Sequence, residues 1–220
     1  MLDFELPESA EEAIAIQKSL APRVIKEGRI ERPSFIAGVD VGITGDEGTA
    51  AVVVLSYPEL GLIFCAVAKD RIRFPYIPGL LSFRETPLVL SAWEKLSITP
   101  DLLFVDGQGT AHPRRFGIAC HLGLLLDIPT IGCAKSHLCG HYEEPAPQCG
   151  AFSWLTDGDE TIGAVLRTRP GSGPLFVSVG HKISLGEAVQ RTISCCDGHR
   201  LPKPARLAHK ASRGEIDYTS

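Results

Sequence analysis

The chain of 220 residues has no excess of positive charge, no long apolar run and no paired cysteines of metal-binding spacing. Its 22 lysines and arginines are outnumbered by 26 aspartates and glutamates. This balance excludes a protein that coats nucleic acid by bulk charge, although a local basic cleft stays compatible with it. Because no apolar stretch is long enough to span a bilayer, no membrane partner is expected.

The 7 cysteines include no Cys-x-x-Cys pair, which argues against a zinc site. Their odd number, with no secretory signal, is typical of a reducing compartment. Acidic residues occupy the N-terminal stretch where a signal peptide would carry positive charge. We therefore expect a cytoplasmic protein, and no obligate protein partner is indicated.

Hydrophobic residues make up 44% of the chain and charged residues 22%, which are ordinary globular values. The length favours a single domain covering residues 1–220. Ser9 and Glu12 form a capping box that predicts a helix over residues 8–20. Three β-rich runs separated by glycine and proline follow at 34–40, 49–56 and 61–69.

The second part of the chain alternates between helical and strand patterns. Helices are predicted at 83–96, 118–126 and 185–193, with a last one running through Arg206. Strands are predicted at 102–105 and 130–133, and near 150–155, 161–167 and 175–179. A meander followed by strand–helix units predicts an α/β fold with a mixed sheet and flanking helices.

Asp40 and Asp106 stand late in, or directly after, predicted strands, where functional side chains of α/β sheets collect. Two neighbouring strands could therefore place these carboxylates side by side. Buried carboxylates repel one another, and a divalent cation such as Mg²⁺ relieves that cost. Taken singly, each aspartate is better explained as a turn or cap residue followed closely by glycine, and Glu85 as an acid in the first turn of a helix.

A proline-rich loop follows the meander at residues 74–79. Pro75 and Pro78 stiffen it, and Tyr76 and Ile77 between them form a rigid apolar point. An enzyme that acts on a base inside a duplex needs such a group to fill the vacated stack. The alternative is a surface loop whose tyrosine packs on its own domain.

These segments together resemble the endonuclease V family, which acts on deaminated bases. The matching stretches occur in family order at 36–42, 75–85, 105–109, 111–116, 128–135, 179–185 and 200–209. The long segment ending at Glu85, combined with Val105 to Phe116, is the most specific. The resemblance implies a ribonuclease-H-like fold, in agreement with the predicted meander.

The resemblance also implies roles for individual residues. Metal binding is implied for Asp40, Glu85 and Asp106, with assistance by His209 in some members of the family. Lys135 matches a lysine near the scissile phosphate, and His112 a histidine near the cleft. The strand-separating wedge would be Pro75, Tyr76, Ile77 and Pro78, and the base pocket would include Gly79, Leu81, Gly107 and Gly132. Glycine suits such a pocket because a flat base must approach the backbone closely.

The implied reaction is hydrolysis of the second phosphodiester bond on the 3′ side of inosine, leaving 3′-hydroxyl and 5′-phosphate ends. The implied cofactor is Mg²⁺, with Mn²⁺ as a substitute, and the partner is DNA with deaminated bases or inosine-containing RNA. Hypoxanthine presents an O6 acceptor where adenine presents an amino donor, so a backbone N–H can tell them apart.

Three other functions fit parts of the pattern. Asp40 to Thr44 and Asp106 to Thr110 resemble the phosphate loops of actin-like or sugar-kinase-like ATPases, which usually need a longer chain. A non-catalytic binder of modified nucleic acid would keep the wedge and pocket without needing all three acids. A junction resolvase of the same fold would leave the aromatic wedge without a purpose.

Overall fold

The computed structural model describes residues 4–216, in which eight strands form one sheet with five flanking helices. The strands are β1 (Phe35–Thr44), β2 (Glu47–Ser56), β3 (Leu62–Arg71), β4 (Leu102–Val105), β5 (Thr130–Ala134), β6 (Phe152–Asp157), β7 (Glu160–Leu166) and β8 (Leu175–His181). The helices are α1 (Ala10–Leu20), α2 (Leu81–Trp93), α3 (Ile118–Leu126), α4 (Leu185–Ser194) and α5 (Lys203–Ser212). Within residues 4–216, none of the helices has the length and apolar character that crossing a membrane requires.

The strand order across the sheet is β3-β2-β1-β4-β5-β8-β7-β6. The first three strands form an antiparallel meander, whereas β4 pairs parallel to β1 and β5 parallel to β4. Parallel neighbours need long crossover connections, and α2 and α3 supply them. This arrangement confirms the expected mixed α/β sheet with the ribonuclease-H-like fold.

Apolar side chains cover both faces of the sheet. Helices α4 and α5 pack on one face, where they bury Ala51, Val53 and Leu55 of β2. Helices α2 and α3 pack on the other face, where α2 lies over Ala50, Val52 and Val54 of the same strand and α3 lies over β4, β5 and β8. A strand that is buried on both faces needs a continuous apolar run, which is the pattern seen in its sequence.

The first helix begins where its capping residues predict. Ser9 Oγ accepts a hydrogen bond of 3.1 Å from the backbone N–H of Glu12. The Glu12 carboxylate in turn accepts from the N–H of Glu8 at 2.7 Å, one residue before the N-cap. Two otherwise unpaired backbone donors are therefore satisfied at the start of α1.

Two predicted boundaries were wrong. The first strand continues to Thr44 because its pairing with β2 extends to a tight turn at Gly45 and Asp46, so Asp40 lies in mid-strand. Asp106 still comes beside it, because β4 ends at Val105, which pairs with Val39. Helix α2 begins at Leu81, so Glu85 lies in its second turn and not in its first.

Candidate active site

Two glycines allow α5 to lie directly against β1. A Cβ atom on Gly38 would come 2.1 Å from the carbonyl carbon of Pro204, and one on Gly42 would come 2.9 Å from Ser212 O. Side chains of a strand alternate between its faces, so Asp40 between these glycines points to the same side. The close approach therefore sets the last turns of α5 over the Asp40 carboxylate.

Two side chains of α5 contact Asp40. His209 Nδ1 lies 3.0 Å from Asp40 Oδ2, and Ser212 Oγ donates to the same oxygen at 2.8 Å. His209 Nδ1 also lies 3.9 Å from Asp106 Oδ2. One ligand atom from each of Asp40, Asp106 and His209 falls within 4.8 Å of the other two. The predicted residues of β1, β4 and α5 are thus brought together.

Lys135 lies at the same end of the sheet and pairs with Asp106. Asp106 follows β4 and Lys135 follows the adjacent parallel strand β5, and Lys135 Nζ donates to Asp106 Oδ2 at 2.6 Å. The Asp106 side chain is 6% exposed, against 40% for that of Lys135. Burial raises the pKa of the Asp106 carboxyl, and the charge and hydrogen bond of Lys135 oppose part of that rise.

Glu85 reaches the site from α2, on the opposite face of the sheet from α5. Burial, and after it the negative charges of Asp40 and Asp106, together raise the pKa of its carboxyl to about 8, although the Arg84 guanidinium opposes part of the rise. Among residues 4–216, the ligand atoms of Asp40, Asp106 and His209 form one tight group, and Glu85 is not part of it. Its carboxyl group is nevertheless close enough to both aspartates for their charges to raise its pKa.

This set of donors fits a divalent metal ion. The carboxyl groups of Asp40 and Asp106 lie together with little exposure to solvent, and Glu85 interacts with both, so the repulsion among these negative charges favours a bound cation. Carboxylate oxygens are hard ligands of the kind that Mg²⁺ and Mn²⁺ prefer, and one imidazole nitrogen is compatible with them. Asp40, Asp106 and His209 are the residues placed to hold such an ion, with Glu85 beside them.

Asp40, Glu85, Asp106 and His209, with Lys135 paired to Asp106, are called the acidic group below. A cavity of about 240 Å³ adjoins this group, and Asp106 and Lys135 belong to both. Its wall includes three of the four predicted pocket residues, namely Gly79, Leu81 and Gly107. Gly132 is not part of that wall. A Cβ atom there would come 2.5 Å from the backbone nitrogen of Gly109, so Gly132 lets the loop after β4 lie close to β5.

The segment 74–79 is called the tyrosine loop below, and its residues 76–79 line one side of the cavity. The Tyr76 side chain is 69% exposed. Ile77 packs in part against a small apolar cluster that includes Phe74 and Phe83. The exposed point of the loop is therefore Tyr76, with Pro75 and Pro78 on either side of the pair.

His112 lies at the wall of the cavity and is 3% exposed. Its Nδ1 accepts a hydrogen bond of 3.2 Å from the backbone N–H of Arg114, so its Nε2 carries the proton and donates to Gly79 O at 2.9 Å. Burial lowers the pKa of His112 to about 4, which keeps the ring neutral near pH 7. His112 is thus a hydrogen-bond donor to the tyrosine loop.

Several residues of the site were not predicted from the sequence. The cavity wall also contains Gln17, Gln108, Ser136 and Leu138, and Ser212 bonds to Asp40. Ser212 follows His209 by three residues, which places both on one helix face, and this spacing could have revealed it. Nothing in the sequence distinguishes Gln17 from an ordinary polar residue of α1.

Comparison with known proteins agrees with this geometry. The family model of endonuclease V matches residues 18–210. An endonuclease V of Dehalococcoides mccartyi is 53% identical over 203 residues, which cover 91% of each chain. The crystal structure of endonuclease V from Streptomyces avermitilis superimposes with a TM-score of 0.90 at 41% identity, covering 95% of this chain and 93% of that one. Endonuclease V of Ciona intestinalis, in complex with a 24mer DNA containing an inosine followed by a ribo-adenosine, gives a TM-score of 0.82 at 27% identity, covering 95% and 98%. The chain therefore belongs to the endonuclease V family of nucleases.

Proposed function

We propose that this chain cuts nucleic acid at inosine, hydrolysing the second phosphodiester bond on the 3′ side of the deaminated base in a reaction that requires Mg²⁺. The products are 3′-hydroxyl and 5′-phosphate ends, and the base itself stays attached. The observation that carries the proposal is the contact between a base-sized cavity and an acidic group, which share Asp106 and Lys135. The Ciona relative bound to inosine-containing DNA supports the same substrate.

The cavity suits a flat base that has left its stack. Its wall has glycine at 79, 107 and 117, which exposes backbone to a ligand, and apolar side chains at Leu81 and Ile118. A backbone N–H can donate to O6 of hypoxanthine, whereas the amino group of adenine would meet it donor to donor. Inosine also pairs weakly, so moving it out of a duplex costs less than moving a normal base.

Tyr76 supplies the group that fills the vacated place in the duplex. Its ring is exposed at the cavity mouth, on a loop that two prolines restrict. A stiff loop loses little conformational entropy when the ring inserts between bases. Tyr76 therefore keeps the strand open while the base occupies the cavity.

The residues of the acidic group act on the phosphodiester next to the cavity. Asp40, Asp106 and His209, with Glu85, would hold Mg²⁺, which when bound would offset phosphate charge and make water a better nucleophile. Lys135 has three N–H donors and uses one to bind Asp106, so the others can donate to a phosphate oxygen. His209 and Ser212 orient the Asp40 carboxylate by direct contact.

The test uses end-labelled DNA and RNA strands of one sequence, each with a single inosine or with adenosine at that position. Each strand is incubated with the protein in Mg²⁺ or in chelator, and the ends are mapped. We expect one nick in the inosine strand, at the second bond on the 3′ side, in Mg²⁺ alone. The DNA and RNA arms identify the natural substrate. Cleavage in chelator, or equal cutting of the adenosine strand, would contradict the proposal.

Two variants assign the chemistry to the acidic group. Asp40→Asn and Asp106→Asn keep the size of the side chain and remove its charge. Both should lose nicking in Mg²⁺ and keep binding to the inosine strand, measured by fluorescence anisotropy. An Asp46→Asn variant is the control, because Asp46 pairs with Arg71 on the surface. If both site variants still cut like this control, the assignment of the acids is wrong.

A further inference from the structure

We propose that Gln17 and Arg114 are positioning residues, which together with His112 hold the Gly79 carbonyl and so fix the tyrosine loop at the mouth of the base cavity. This inference rests on the proposed function, since the loop matters for cutting only if Tyr76 holds a duplex open. None of the three side chains needs to touch the scissile phosphate. Gln17 and His112 also line the cavity, but the effect proposed for all three on the cutting of a duplex is exerted through the loop.

Three donors converge on one backbone oxygen. Gln17 Nε2 lies 3.0 Å from Gly79 O, Arg114 Nη2 lies 2.8 Å from it, and His112 Nε2 lies 2.9 Å from it. A carbonyl oxygen has two lone pairs and is satisfied by one or two donors. The third donor therefore exceeds what satisfying a buried carbonyl requires, which points to a role in holding the loop.

Gln17 connects three separate parts of the chain. It stands on α1, is 1% exposed, and donates to both Gly79 O and Phe116 O, at 3.0 and 2.9 Å. Its Oε1 accepts from Arg114 Nε at 2.5 Å. Buried side chains of α1 otherwise pack as apolar groups, as Ala13 and Leu20 do. A methionine would fill the same volume, so the amide is there for its directed hydrogen bonds.

The three hydrogen bonds to Gly79 O are called the clamp below, and the backbone conformation of Gly79 suits them. Its φ angle is +80°, and a Cβ atom at this position would come 2.8 Å from Arg114 Nη2. A side chain here would strain the backbone and push the guanidinium away. The other end of the tyrosine loop is also held, because Arg84 Nη1 donates to Phe74 O at 3.0 Å. Tyr76 therefore projects from a loop that is fastened at both ends.

The effect of the clamp should depend on whether the substrate is paired. In a duplex, Tyr76 must stand at a fixed height above the cavity to replace the displaced base. In a single strand there is no partner strand to hold apart, so the loop position matters less. A purely structural role for Gln17 would instead lower activity on both substrates by the same factor.

The experiment compares wild type, Gln17→Met and Arg114→Met on one inosine-containing DNA strand, presented alone and annealed to its complement. Single-turnover rates are measured in Mg²⁺. For both variants we expect the ratio of duplex to single-strand rate to fall about tenfold, the size expected for losing buried hydrogen bonds. Val189→Ala is the matched control, since it removes core volume from α4 on the other side of the sheet and should leave the ratio unchanged.

A second readout does not depend on nuclease activity. Amide hydrogen exchange of residues 74–80 in the free protein should speed up in Gln17→Met and Arg114→Met and stay unchanged in Val189→Ala. The clamp would be refuted, and the proposed function left intact, if the wild-type protein cuts at inosine but both variants keep the wild-type ratio of rates and the wild-type rates of amide exchange. Wild type that cuts neither strand would refute the function, and the exchange rates alone would then decide whether the clamp exists.

Discussion

Lys135 Nζ lies 2.6 Å from Asp106 Oδ2, so two neighbouring parallel strands deliver opposite charges to the same point. The Asp106 side chain is nearly buried and the Lys135 side chain is 40% exposed beside the cavity, so N–H donors of Lys135 other than the one bound to Asp106 can reach a ligand there. Lys135→Met should lower the single-turnover rate of inosine-strand cleavage about a hundredfold, the usual effect of losing a charged donor to a phosphate in the transition state. Strand binding, measured by anisotropy, should change far less.

Lys95→Met is the control for this charge removal. Lys95 is an exposed lysine after α2 whose Nζ donates to the Val67 carbonyl at 2.7 Å, away from the cavity. It should cleave at the wild-type rate. A Lys135→Met protein that cuts as fast as Lys95→Met would remove Lys135 from the reaction.

The crowding of carboxyl groups has a consequence for stability. Burial, together with the negative charges of Asp40 and Asp106, disfavours the ionised form of Glu85 when no cation is present, so folding must bury that charge or take up a proton. Glu85→Gln should therefore raise the free energy of unfolding in chelator by roughly 1–3 kcal/mol. The same change should reduce the stabilisation that Mg²⁺ gives, because one ligand group is lost. Thermal unfolding in chelator and in Mg²⁺ measures both effects.

Glu94→Gln serves as the reference, because Glu94 is an exposed acid at the end of α2. It should leave both melting temperatures near those of wild type. If Glu85→Gln lowers the stability in chelator, the three carboxyl groups do not share a repulsive site.

Local sequence patterns were sufficient for the sheet and for part of the site. Asp106 could be placed because a four-residue apolar run ends directly before it, and such a run is a buried strand. The same logic ends the strand at Asp40, because Gly42, in the part of the strand that continues to Thr44, is typical of a turn. Gly42, like Gly38, instead allows α5 to approach β1, a packing requirement that local propensity does not encode.

The remaining parts of the site depend on contacts distant in sequence. Gln17 meets Gly79 and Phe116 only after α1 has packed against two loops. The relation of Glu85 to the aspartates likewise requires α2 to cross to the end of β4. No spacing rule connects such residues, so the resemblance to a family carried the assignment of Glu85, and the structure alone revealed Gln17.

Acid should destabilise the protein through a buried histidine. The ring of His121 lies among Phe4, Phe83 and Phe116, with centroid distances of 5.5, 5.2 and 5.3 Å. Burial lowers its pKa from 6.5 to about 4, so the folded protein keeps this ring neutral. The stability it contributes is complete above pH 6.5 and is lost as the pH falls towards 4. Between pH 7.5 and 5 the loss should be about 2 kcal/mol.

His121→Leu should remove that part of the pH dependence. The quantity to measure is the difference in unfolding free energy between pH 7.5 and pH 5, from urea titrations of wild type and variant. Comparing differences cancels any change in packing that affects both pH values equally. His141→Gln, at an exposed position, should keep the wild-type difference. An unchanged difference in His121→Leu would mean that the ring is accessible to protons in the folded state.

The close approach between β5 and the loop after β4 leaves no room for a side chain at Gly132. A Cβ atom on Gly132 would come 2.5 Å from Gly109 N and 2.7 Å from Gly107 O, and backbone atoms cannot rotate away as a side chain can. Gly132→Ala should therefore lower the free energy of unfolding by about 2–3 kcal/mol. It should also slow cleavage, because the displaced loop carries Asp106 and part of the cavity wall. Gly186 in α4 has nothing within 4 Å of the same added atom, so Gly186→Ala should stabilise by up to about 1 kcal/mol. Urea unfolding of the two variants separates these cases, since a general effect of adding a methyl group would move both in one direction.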